Sequence, residues 1–108
     1  MSDLVRDVGR IIEERYLEPL SSDSIARMVG RRAEYVAARF RQETGLTIHQ
    51  HLTHVRMREA RRLLDEGHKV YSAAALVGYK SRKSFYQQFR RAYGMTPGAY
   101  ARLSAPGS

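Results

Sequence analysis

Cysteine is absent from the 108 residues, so neither a disulfide framework nor a thiolate metal site is available, and the chain suits a reducing compartment. No long apolar run occurs, and the opening Met-Ser-Asp-Leu-Val lacks the charged-then-apolar pattern of a secretory leader. The expectation is a soluble, cytoplasmic protein with no membrane association. Acidic residues are scarce in one half only. Residues 1–54 carry eight basic side chains and eight acidic ones, whereas residues 55–108 carry eleven basic against three acidic, Glu59, Asp65 and Glu66. The whole formal excess of +8 therefore lies in the second half. Such asymmetry points to a polyanionic partner, with an ordinary soluble basic surface as the alternative. No nucleophile elbow, phosphate loop or metal motif occurs, so neither an enzyme nor a cofactor is expected. His49, His51 and His54 lie close together in sequence. His49 and His51 are two apart on a helix and point to different sides, which favours structural or solvated roles over a metal site.

What the chain does contain is a repeat. Ala26, Val29, Gly30, Phe40, Arg41, Gly45 and Thr47 recur as Ala74, Val77, Gly78, Phe89, Arg90, Gly94 and Thr96, with one extra residue in the middle of the second copy. His51 and Tyr100 also correspond, each four residues after the repeated Thr. Each copy reads as a short helix, a tight turn near a glycine, and a second helix. Between the copies, Ile48, Leu52, Val55, Ala60, Leu63 and Leu64 fall at helical spacing, with Thr47 able to cap the start and Gly67 able to end it. About twenty residues at 1.5 Å each give a helix about 30 Å long, close to the ~34 Å of one DNA turn. The size and the 43% hydrophobic content suit one compact body or two very small subdomains.

The remaining elements follow from caps and periodicity. Asp3 can cap a first helix with a stripe of Leu4, Val8, Ile12 and Tyr16, and Ile11 beside it. After the break at Glu18-Pro19, Ser22 or Asp23 caps a short helix carrying Ile25, Ala26 and Val29. A third helix, Ala33 to Glu43, is expected to bury Tyr35, Val36 and Phe40. In the second copy, the alanine-rich stretch from Ser72 to Val77 allows close helix packing, and Ser81 caps a sixth helix, Arg82 to Tyr93, with Phe85, Phe89 and Ala92 inward. Thr96-Pro97 opens a last short helix with Tyr100 and Leu103. The expected division is a helix-turn-helix subdomain over 1–46, a connecting helix over 47–67, a second such subdomain over 68–103, and a disordered tail over 104–108.

These residues carry a resemblance. Ile25-Ala26, Val29-Gly30, Tyr35-Val36, Phe40-Arg41 and Gly45 match in the first half, and Arg56, Ala60 and Leu63-Leu64 in the connecting helix. The second half matches through Ala74, Val77-Gly78-Tyr79, Ser81, Ser84-Phe85, Phe89-Arg90, Gly94-Met95-Thr96-Pro97 and Tyr100. From about Val8 to Tyr100 the chain resembles the DNA-binding domain of the AraC/XylS family of bacterial transcription regulators. The resemblance implies an all-α fold of seven helices, a homeodomain-like pair of helix-turn-helix units joined by the central helix. It also implies that the third and sixth helices enter neighbouring major grooves of double-stranded DNA.

The sixth helix supports that role on chemistry alone. Its outward face near the N-terminus presents Arg82, Lys83, Tyr86 and Gln87. Arg and Lys bond guanine O6 and N7, Gln pairs with adenine, and Tyr bonds a phosphate or packs on a thymine methyl. Lys80, Ser81, Arg90 and Arg91 flank the face as backbone contacts that position without specifying. A solvated cationic face is the alternative. On the third helix the resemblance puts Glu34, Ala37 and Ala38 toward the groove, where larger polar or basic side chains are usual. Alanines read little and Glu34 repels phosphate, so the first unit is expected to be weaker or less selective. Arg31 and Arg32 are expected at phosphates. Arg32 stands where the family commonly has a capping Ser, and Ala101 where Arg is usual, with Arg102 near enough to compensate in part. On the central helix Arg56 is read as a structural ion-pairing residue, and Arg58, Arg61 and Arg62 as solvated or phosphate-facing.

Family members usually carry a separate effector-binding or dimerisation domain. None lies in these residues, so the chain is read as an excised C-terminal domain, with a small stand-alone activator as the alternative. RNA polymerase is a further possible partner, contacted by the nearly neutral first unit.

Overall fold

A computed structural model describes residues 1–104. Among them are seven helices and no strand: α1 (Asp3–Arg15), α2 (Ser22–Val29), α3 (Ala33–Thr44), α4 (Ile48–Asp65), α5 (Val70–Leu76), α6 (Arg82–Tyr93) and α7 (Pro97–Ser104). Ser104 is the last residue of α7, with its hydroxyl donating to the Tyr100 carbonyl at 3.1 Å, so the expected tail loses its first residue to the helix. The rest of that tail, 105–108, lies outside the described residues.

Two compact units divide the chain between Val55 and Arg56, inside α4. The first turns of α4 thus belong to one unit and its later turns to the other. Ile48, Leu52 and Val55 join the first core, which also holds Val5, Val8, Ile12, Ile25, Ala26, Val36 and Phe40. Beyond the division, Met57, Ala60, Leu63 and Leu64 are buried, as are Ala73, Val77, Phe85 and Phe89 in the second unit. Phe40 and Phe89, the repeated aromatics, are 1% and 0% exposed. Truncating a buried Phe to Ala ordinarily costs about 3–5 kcal/mol, so each is a principal anchor of its unit.

Local chemistry sets the helix ends. Ser2, not Asp3, caps α1, accepting from the Val5 amide at 3.3 Å. Asp3 instead sits in the first turn, where its charge favours the positive end of the helix. Ser21, not Ser22 or Asp23, caps α2, because Ser21 and Ser24 can bond each other's backbone amides reciprocally, at 3.1 and 2.9 Å. Thr47 and Gln50 do the same at the start of α4, at 3.0 and 2.9 Å. The turn glycines Gly30 and Gly78 have φ of +70° and +95°, a left-handed conformation that side-chain-bearing residues adopt only at a cost.

In the second unit α5 packs on α6 and α7. The Phe89 ring lies 4.8 Å from Tyr93 and 5.8 Å from Tyr100, and Tyr93 stacks on Tyr100. This cluster explains why Ala92, expected inward, is exposed. Tyr93, one turn beyond Phe89, fills the inward position instead. Leu103 is also exposed, so Tyr100 rather than Leu103 holds α7 to its unit.

Candidate nucleic-acid interface

In the second unit the turn and α6 place a cationic row in solvent. Ser81 caps α6, its hydroxyl accepting from the Ser84 amide at 3.2 Å. The cap starts the helix at Arg82, and the burial of Phe85 and Phe89 four apart fixes its inward face. Lys83 and Gln87 consequently project outward and are exposed, as are Lys80, Ser81, Arg82, Arg90 and Arg91. Tyr86 differs from expectation. It is half-buried, with the Arg82 guanidinium 5.1 Å over its ring and an Arg82–Tyr86 hydroxyl separation of 3.5 Å. On a helix it lies about 60° nearer the core than Lys83, and its ring packs under the Arg82 guanidinium.

Acid is kept away from this row. The three acidic residues of the second half lie in the later part of α4, at Glu59 and Asp65, or just after it, at Glu66. Glu59 and Glu66 both pair with Arg62, and Asp65 accepts from the Tyr100 phenol at 2.7 Å. Arg62, expected as solvated or phosphate-facing, is thus engaged on its own helix, and Glu59 holds its pKa above the ordinary arginine value. The Arg61 guanidinium lies 5.0 Å over Tyr93, and that of Arg56 lies 5.9 Å over Tyr79. Burial pushes the Tyr93 phenol above its ordinary pKa, with Arg61 opposing.

In the first unit, α3 turns Val36 and Phe40 inward and leaves Glu34 and Ala38 exposed, while Ala37 is half-buried. Arg31 and Arg32 are exposed in the turn. Arg32 occupies the N-cap position without a side-chain capping bond. Tyr35, expected in the core, is 46% exposed. One residue ahead of Val36 on a helix is about 100° round from it, so a stripe set by Val36 and Phe40 leaves no inward place for Tyr35. The matching of Tyr35-Val36 as one apolar pair concealed this. His51 packs edge-on against Phe40, with ring centroids 5.5 Å apart, a structural role. Among the described residues no three His, Asp or Glu side chains gather as a metal site needs. No helix there is long and apolar enough to cross a membrane.

Comparison with known proteins agrees with this geometry. A family profile described as a helix-turn-helix domain matches residues 25–103. The melibiose operon regulatory protein of Escherichia coli K12 is 32% identical over 94 residues, covering 86% of this chain and 31% of that protein. The chain spans about a third of the length of the curated relatives it matches. The C-terminal domain of AraT, a response regulator from Geobacillus stearothermophilus, superposes with a TM-score of 0.89 at 28% identity, over 94% of this chain and 86% of that one. The DNA-binding domain of AdpA, a global transcriptional factor solved in complex with a target DNA, gives a TM-score of 0.86 at 28% identity, over 99% of this chain and 100% of that one. With the profile spanning both repeats and the seven helices in place, the chain belongs to the AraC/XylS type of helix-turn-helix domain.

Proposed function

We propose that the chain reads double-stranded DNA in a sequence-specific way as part of transcriptional regulation. The observation that carries this reading is the exposed row Arg82, Lys83 and Gln87 on the capped first turns of α6, flanked by Lys80, Arg90 and Arg91, with the acids of that half engaged on or beside α4. Similarity to a DNA-binding domain solved on its target supports it. Arg82, Lys83 and Gln87 read base edges, and the flanking cations neutralise phosphates. The first unit, with Glu34, Ala37 and Ala38 toward the groove, contributes little base selectivity. Entry of α3 and α6 into successive major grooves follows the family resemblance, and such a reader works in the bacterial cytoplasm on the nucleoid.

The near-neutral first half favours a second role beside this one, contact with RNA polymerase. The greater length of the relatives supports a covalently linked effector-binding or dimerisation domain outside these residues. The test is duplex binding by the parent chain and by Arg82→Ala and Lys83→Ala. Loss of about tenfold or more in affinity is expected for each, given ~1–3 kcal/mol per good base contact. Unchanged affinity in both variants contradicts the reading and leaves partner contact as the primary role.

A further inference from the structure

On α3 the side opposite Val36 and Phe40 is made by Glu34, Ala38 and Arg41, with Tyr35 and Gln42 along one edge. Glu34 carries the wrong charge for a phosphate and Ala38 offers only a methyl. Tyr35 is different, since it is 46% exposed and lies under the Arg31 guanidinium, 5.9 Å from its ring centre. The second unit has an Arg–Tyr pair of the same spacing, Arg82 and Tyr86, but set two residues later in the repeat, inside the recognition helix. By the repeat, Arg31 corresponds to Lys80 and Tyr35 to Ser84. The first unit therefore holds its pair at the turn end of the helix rather than along the reading face.

We propose that Arg31 and Tyr35 form a phosphate clamp that positions the first unit on duplex DNA. The proposal rests on the DNA-reading function above and assigns the first unit's contact to the strand backbone. The Arg31 guanidinium supplies the charge and lies over the tyrosine ring, steering the phenol, which donates one hydrogen bond to a phosphate oxygen. The edge position of Tyr35, beside Gln42 rather than between Glu34 and Ala38, directs it to the strand flanking the groove. The clamp supplies affinity without sequence information.

The test uses the whole chain, a 30-base-pair duplex of random sequence and a series of salt concentrations. Tyr35→Phe keeps the ring and removes only the hydroxyl. It is expected to weaken binding about fivefold, with the salt dependence unchanged because no charge is lost. Arg31→Ala is expected to weaken binding more and to lower the slope of log affinity against log salt by about 0.9. The double variant should lose less than the product of the two, because the phenol is steered by the guanidinium. Parent-like binding by Tyr35→Phe overturns the clamp, while loss of preference for a pool-selected duplex over the random one on Arg82→Ala shows that DNA reading stands. If the parent binds no duplex even at low salt, the clamp and the DNA reading fall together. Unchanged thermal unfolding of Tyr35→Phe separates the loss from any folding defect.

Discussion

The phenol of Tyr100 donates a 2.7 Å hydrogen bond to Asp65 Oδ1, joining α7 to the last residue of α4 across 35 positions of sequence. The bond raises the Tyr100 pKa above the usual 10.0, with burial adding to it. A raised acid contributes stability that is complete below its unfolded pKa and is lost as pH climbs through the folded one. Tyr100→Phe should therefore lower stability by about 0.5–1.5 kcal/mol near pH 7. In urea unfolding the gap between parent and variant should hold up to about pH 10 and close above it. A gap independent of pH through that range contradicts the assignment.

Glu43 secures the start of the chain to α3. Its carboxylate accepts from the Ser2 amide at 2.6 Å and the Ser2 hydroxyl at 2.9 Å, and pairs with Arg39 at 2.7 Å. The Ser2 amide bond is the main cause of its lowered pKa, with burial opposing and the Ser2 hydroxyl and Arg39 reinforcing. For a depressed carboxylate the stabilisation is present above the unfolded pKa, here near 4.5, and disappears as pH falls through the folded value. Glu43→Gln should be less stable than the parent at pH 7 and converge on it at lower pH. Melts at pH 7 and in the acid range measure this.

Arg32 sets stability against binding. It stands at the N-cap of α3 without a side-chain bond, where Ser would accept from a first-turn amide. Arg32→Ser should stabilise the fold by about 1 kcal/mol while weakening duplex binding and flattening its salt dependence. Unfolding and binding measured on the same protein check both signs, and a variant that is more stable but binds as the parent does removes Arg32 from the phosphate contacts.

Much of this was legible from residue spacing. The repeat of Phe40 and Phe89, the glycines at each turn, and the Thr47 and Ser81 caps placed the helices because each depends on neighbours within a few positions. Errors arose where tertiary packing chose between local options. Either Ala92 or Tyr93 could complete the α6 stripe, and the aromatic contacts with Phe89 and Tyr100 selected Tyr93. Tyr35 reads as a core residue beside Val36, although the four-residue step from Val36 to Phe40 excludes it from that face. Arg62 gave no sign in composition of its two carboxylate partners, but Glu59 and Glu66, three residues before it and four after, were within reach on a helix. The division of α4 at Val55 was hidden because its apolar stripe runs unbroken through both halves.

On this reading α6 reads bases and the first unit chiefly positions the domain. Selection of bound duplexes from a random-sequence pool at near-physiological salt tests it most directly. The expected result is a motif with one sharp block, lost on Arg82→Ala, and a second, weakly constrained block about one helical turn (~34 Å) away. Recovery of no motif by the folded protein, or of a sharp block that survives Arg82→Ala and Lys83→Ala together, would contradict it.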